Sequence, residues 1–137
     1  MAGNRAPEIL IAGGGIGGLS AALALALKGR RVRVLEKAAE FGEIGYGIQM
    51  GPNVSRVRQA LGVRDAPEPK AGFPDTRVMM DSVSGEEVTR ISLGDAFVKR
   101  FGYRYFVIHR GDLHGTLFDA CRRKHTADLD RRQQLGQ

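Results

Sequence analysis

Apolar and polar positions follow two different periods along this chain, and the switches between them mark its elements. Ile9, Leu10, Ile11 and Ala12 form a short apolar run, the texture of a strand near residues 8–12. Gly13, Gly15 and Gly18 interrupt it, and a segment near 15–28 then places Ala22 and Leu25 on one helical face. Gly29 suits a left-handed helix cap, and Val32, Val34 and Leu35 give a second buried strand over 31–36. A glycine-rich loop is expected from Ala38 to Gly51. Pro52 fits a first helical position, and Val54, Val57, Ala60 and Leu61 recur at helical spacing until Gly62 stops that helix. Pro67, Pro69 and Pro74 mark an irregular connection.

The texture then changes. The runs Arg77–Val83 and Glu87–Leu93 flank Ser84-Gly85, which predicts a β-hairpin, an element foreign to a plain succession of βαβ units. Tyr105–His109 reads as a further strand, and Asp112 as the cap of a helix carrying Leu113, Leu117, Ala120 and Cys121 on one side. After about Thr126 the sequence is polar, and neither a strand nor a helix is expected there. The predicted class is therefore α/β: a Rossmann-like βαβ fold with the start of an inserted β-sheet, truncated. The expected organisation is a βαβ unit over 1–75 and a β-hairpin of an inserted sheet over 76–103. A return strand and helix of the first domain occupy 104–125, and a disordered polar tail 126–137.

Composition narrows the class without naming a function. With 137 residues, 42% hydrophobic and 26% charged, the chain can bury one core of ordinary size. The single Cys121 excludes an internal disulfide and points to a reducing cytoplasm. No apolar run approaches the ~18 residues of a membrane span, and no membrane partner is expected. Arg5 before an alanine-rich apolar stretch imitates a secretion signal, but Glu8 and the clustered glycines argue against one. The net charge of +6 is spread along the chain with no nucleic-acid-binding signature, so no nucleic-acid partner is expected. His109, His114 and His125 lack a metal-ligand pattern and are assigned packing or surface roles. No metal is expected.

The candidate chemistry lies between Ile9 and Glu36. Gly13 allows the tight turn from strand to helix, Gly15 lets the backbone approach a diphosphate, and Gly18 permits close helix–strand packing. The positive end of the helix then faces the phosphates. Glu36, at the end of the second strand, can accept both ribose hydroxyls of an adenosine and would repel a 2′-phosphate. FAD or NAD is thereby favoured over NADP.

Three blocks together resemble the FAD-dependent aromatic hydroxylases, single-component flavoprotein monooxygenases of the salicylate and 3-hydroxybenzoate hydroxylase type. They are the glycine-rich unit through Glu36-Lys37, the loop Phe41-Gly-Glu-Ile-Gly-Tyr-Gly-Ile-Gln-Met-Gly-Pro-Asn53, and Val107-Ile-His-Arg-Gly-Asp-Leu113. The resemblance implies FAD as cofactor, NADH or NADPH as co-substrate, O₂ as oxidant and a small aromatic substrate. It makes the Rossmann-like fold FAD-binding over 1–75 and 104–125, and the hairpin over 76–103 part of a substrate-domain sheet. It assigns cofactor binding to Gly13, Gly15, Ile16, Gly17, Gly18, Glu36, Gly47 and Arg110, with Arg110 at the phosphate or ribityl side. Lys37 belongs to this set or is a solvated neighbour of Glu36, and Arg110 has as its alternative a surface pair with Asp112. Tyr46 stands where the family has a small residue. The family's later Asp-Gly and Gly-Asp segments do not occur in this sequence, whence the expectation of truncation. No catalytic base can be assigned; Tyr103, Tyr105 and His109 are chemically capable, with strand packing as their alternative role. Two other readings remain: a non-catalytic adenine-dinucleotide-binding remnant, and another FAD or NAD oxidoreductase, for which no redox cysteine pair is present.

Overall fold

A computed structural model describes residues 8–38, 46–64, 70–124 and the backbone of 127–131. The apolar run becomes strand β1 (Ile9–Ala12), followed by helix α1 (Ile16–Leu27) and strand β2 (Val32–Glu36). β1 and β2 pair in parallel, Ile9 opposite Val32 and Ile11 opposite Val34. These four residues point to the helical side of the sheet, where Val32 and Val34 are fully buried, while Leu10 on the other face is 61% exposed. α1 covers the buried side with Leu19, Ala22 and Leu23, and Leu25 is half-buried at its margin. Gly29 ends the helix with φ 72°, the left-handed conformation that glycine reaches without a Cβ clash.

Strand β3 (Gly47–Met50) and helix α2 (Pro52–Ala60) come next, then the hairpin of β4 (Thr76–Met80) and β5 (Glu87–Ser92). Helix α3 (Asp95–Phe101), strand β6 (Phe106–His109), helix α4 (Arg110–Arg123) and strand β7 (Ala127–Arg131) complete the order. β2 is the central strand of the parallel sheet, with β1 on one side and β7 on the other. α4 packs on α1 against the same face, burying Leu113, Leu117, Ala120 and Cys121. β3 and β6 form a separate antiparallel pair whose Met50, Phe106 and Ile108 join the same core.

Four expectations change. Gly47–Met50 is a strand rather than part of a loop, because β6 offers it a buried partner and Met50 and Ile48 alternate towards the core. The polar run after Thr126 is not without structure: Ala127–Arg131 pairs in parallel with the whole of β2. Main-chain hydrogen bonding to a preformed neighbour suffices at a sheet edge, where side-chain apolarity is not required. On α2 Val54, and Leu61 at its C-cap, pack against the core as expected, whereas Val57 and Ala60 are exposed and Ser55 and Arg58 are buried instead. Arg58 reaches back to the carbonyls of Val63 and Arg64 and lies 4.8 Å over the Phe106 ring, so a cation fills the place expected of an aliphatic stripe. Finally, α3 lies within the segment expected to hold the hairpin; Asp95 in its first turn and the left-handed Gly102 after it are the signals that mark it.

The hairpin turn is organised by Asp81, whose carboxylate accepts from the amides of Val83 at 2.9 Å and Ser84 at 2.7 Å. Both strands are exposed on both faces. Leu93, buried immediately after β5, anchors the hairpin base by donating its amide to Asp75 at 2.8 Å. The expectations for residues 1–7, 39–45, 65–69, 125–126 and 132–137 lie outside the described residues.

Candidate functional site

The chain leaves β1 through Gly13, whose φ of 99° a side chain would resist. Its amide donates to the Leu35 carbonyl at 2.8 Å and so ties the turn to the end of β2. Gly18, in the first turn of α1, lies against Gly13 so closely that a Cβ there would sit 1.9 Å from the Gly13 oxygen. A Cβ at Gly17 would meet nothing within 4 Å. Helix geometry leaves the first amides of α1 without intrahelical acceptors. Its N-cap, Gly15, has no side chain to satisfy them, and no acidic residue stands in the first turn. The result is a bare, electropositive helix start beside open space, the chemistry that receives a diphosphate. Ile16 is half-buried and packs against the core.

Glu36 ends β2 next to this turn. Its carboxylate accepts from the Gly14 amide at 2.6 Å and from the Ala38 amide at 2.8 Å. These bonds, Ala38 first and Gly14 second, hold its carboxyl below the usual glutamate value. Each carboxylate oxygen retains a further lone pair, so the ionised group can still accept from vicinal hydroxyls. Lys37 is exposed beside it.

A second corner forms where β3 and β6 meet α4. Gly47 pairs with His109 in register, and the Arg110 amide donates to the Tyr46 carbonyl at 3.1 Å. Arg110 is the first residue of α4 and exposed, as is Tyr46 at 89%. Asp112 departs from both of its expected roles. The cap of α4 is His109, whose Nδ1 accepts from the Gly111 amide at 3.1 Å; Asp112 lies in the first helical turn. Its carboxylate pairs with Lys70 at 2.7 Å instead of Arg110. The β-conformation of His109 lets its short ring act as Ncap acceptor, a task the sequence reading gives to the nearest acid.

Two buried contacts join the corners. His114, 4% exposed, donates from Nε2 to the Gly14 carbonyl at 2.7 Å. The Cys121 thiol reaches the Leu19 carbonyl at 3.4 Å, and burial pushes its pKa up to about 11. The glycine turn, Glu36 and the start of α4 are thereby one connected unit, with Gly47 and Arg110 adjoining it. The sequence reading misses Gly14 and His114. Only their fixed positions in the Gly-Gly-Gly run and one helical turn after Arg110 hint at them. The Tyr103 hydroxyl is bonded to Gln59 and the Tyr105 hydroxyl to Gln49, so each has a structural partner. Among the described residues no group of three His, Cys, Asp or Glu could hold a metal, and no helix is long and apolar enough to cross a membrane.

Residues 11–57 match the family model described as NAD(P)-binding Rossmann-like domain. The chain is 51% identical over 112 residues to 3-hydroxybenzoate 6-hydroxylase of Klebsiella oxytoca, covering 82% of this chain and 28% of that relative. The chain matches the N-terminal part of the FAD-dependent aromatic hydroxylases. A crystal structure of a mutant of 2-methyl-3-hydroxypyridine-5-carboxylic acid oxygenase superposes with TM-score 0.77 at 28% identity, covering 93% of this chain and 32% of the other. HpxO of Klebsiella pneumoniae, complexed with FAD and uric acid, superposes with TM-score 0.70 at 32% identity, covering 89% and 30%. The chain therefore spans less than a third of the length of these similar proteins.

Proposed function

We propose that this chain is the N-terminal FAD-binding portion of a flavin-dependent monooxygenase that hydroxylates small aromatic compounds with NAD(P)H and O₂. The observation that carries the cofactor reading is the 2.6 Å bond between Glu36 and Gly14. It supports the reading of Glu36 as a ribose acceptor, because it holds the carboxylate beside a helix start with unspent amides, the two features an adenosine diphosphate needs at one strand edge. Gly15, Gly17 and Gly18 would present backbone to the diphosphate, with Gly13 shaping the turn that lets it approach; Glu36 would take the ribose hydroxyls, and Ile16 would contribute its amide. Gly47 and Arg110, at the adjoining corner, would face the ribityl side, with exposed Tyr46 beside them and Lys37 solvated near Glu36. When bound, FAD supplies the redox and oxygen chemistry, and the chain's residues bind and orient it. The relatives' names support FAD over NAD and an aromatic or heteroaromatic substrate. A lone buried thiol is consistent with a reducing cytoplasm.

The test is a calorimetric titration of the chain with FAD, NAD and NADP, repeated on Glu36→Arg. FAD should bind and NADP should not, and the arginine variant should lose FAD affinity by at least tenfold. No uptake of any adenine dinucleotide by the wild-type chain, or unchanged FAD affinity in the variant, would refute the cofactor reading. Oxygen consumption with NADH or NADPH and a panel of hydroxybenzoates tests the reaction.

A further inference from the structure

Gly14 is held from both ends by residues far apart in sequence. Its amide donates to Glu36 on β2, and its carbonyl accepts from His114 on α4. A carbonyl oxygen can only accept, so His114 must carry a proton on Nε2. The ring lies nearly parallel to Phe118, at 14° and 6.4 Å between centroids, which fixes its plane one helical turn along α4. His114 is buried at 4% exposure and contributes no group to the cofactor contacts proposed above.

The consequence follows from peptide planarity. The Gly14 carbonyl and the Gly15 amide belong to one trans peptide unit and point in opposite directions. Fixing the oxygen towards His114 therefore directs the Gly15 N–H away from α4. The preceding peptide unit is fixed the same way: Glu36 takes the Gly14 N–H, and the Gly13 oxygen is turned against Gly18. Three consecutive glycines would otherwise sample many conformations, and ordering them would be charged against ligand binding.

We propose that His114 is a positioning residue for the diphosphate of the bound dinucleotide, acting through the Gly14 carbonyl to aim the Gly15 amide at the phosphates. The proposal rests on the dinucleotide-binding reading. It makes α4 part of the phosphate site without touching the ligand, and it couples the segment carrying Arg110 to the glycine turn.

The test compares His114→Leu, which removes the donor, with His114→Gln, whose carboxamide restores an N–H at similar reach. FAD affinity is measured by calorimetry, and Gly14 amide exchange by NMR in the cofactor-free chain. One hydrogen bond's worth of positioning predicts about tenfold weaker FAD binding and about tenfold faster Gly14 exchange in the leucine variant. The glutamine variant should stay within about threefold of wild type on both. Wild-type FAD affinity in His114→Leu, or equal losses in both variants, would overturn the proposal. Should the leucine variant not fold, the wild-type ring decides: a slowly exchanging His114 Nε2 proton whose NMR shift moves on adding FAD supports the role. A ring proton in free exchange with water, or indifferent to FAD, overturns it. If the wild-type chain binds no FAD, the cofactor reading fails, whereas the Gly14 exchange contrast still reports on the His114 bond alone.

Discussion

Replacing Gly18 by alanine should be the most informative single change, because its cost can be worked from the backbone. The added Cβ would stand 1.9 Å from the Gly13 oxygen and 3.1 Å from the Gly13 carbonyl carbon. The obstacle is main chain, and Gly13 is fastened by its amide to Leu35 at 2.8 Å. Roughly 1 Å of extra separation must therefore come from shifting α1 away from the turn together with breaking that bond. Overpacking against an unyielding neighbour costs up to about 3 kcal/mol, and losing the turn's hydrogen bond adds about 1 kcal/mol. The better helix propensity of alanine offsets about 1 kcal/mol. The net loss of about 3 kcal/mol corresponds to a fall in Tm of roughly 10 °C for a chain of this size. Gly17→Ala is the matched control. Its Cβ meets nothing within 4 Å, so it should gain about 0.5–1 kcal/mol from the same propensity term. In that variant the methyl group would occupy the open space beside the helix start and weaken FAD uptake. Thermal unfolding followed by circular dichroism, with calorimetric titration of FAD, reads both effects. Equal Tm values for the two variants would refute the account of the turn. Undiminished FAD affinity in Gly17→Ala would refute the placement of the diphosphate.

Further outcomes follow from other residues. Glu36 is ionised more readily in the folded chain than in the unfolded one, so it contributes stability above its ordinary value of 4.5 and loses that contribution as pH falls through the lower folded value. Urea midpoints between pH 3 and 7 should therefore drop less steeply on the acid side for Glu36→Gln than for the wild type; identical slopes would remove the amide bonds from the explanation. Arg58→Ala should cost about 2–4 kcal/mol in urea unfolding, because it removes bonds to two carbonyls and the stack on Phe106. Arg58→Lys should recover less than half of that, since an ammonium lacks the planar fork. Cys121, with its thiol buried and its pKa near 11, should resist a thiol reagent at pH 8 in the native chain and react fully in urea. Rapid native labelling would contradict the α1–α4 packing.

Much of the architecture can be read from local pattern. β1, α1 and β2 carry their own signals, an apolar run, a glycine fingerprint, a left-handed cap and a β-branched run, and each is satisfied by neighbours close in sequence. The hairpin is equally local. β3 and β7 carry no such signal. Their stability is conferred by strands distant in sequence, β6 and β2, and a glycine-rich or polar segment becomes extended when such a partner is ready to bond its backbone. The inward face of α2 is only half legible for a related reason. Helical spacing places Val54 and Leu61 at the core, but Phe106 together with two carbonyls selects Arg58 over Val57 and Ala60.

The sequence by itself determined the chemistry at the glycine turn: which positions must lack a side chain, and that an acid ends the next strand. Only the tertiary structure decided what holds that turn. Glu36 and His114 meet at Gly14 because parallel pairing brings β2 alongside β1 and because α4 packs on α1. A hydrogen bond spanning a hundred positions leaves no periodicity to be read. The partner of Asp112 belongs to the same class, since the fold brings Lys70 to it across 42 positions.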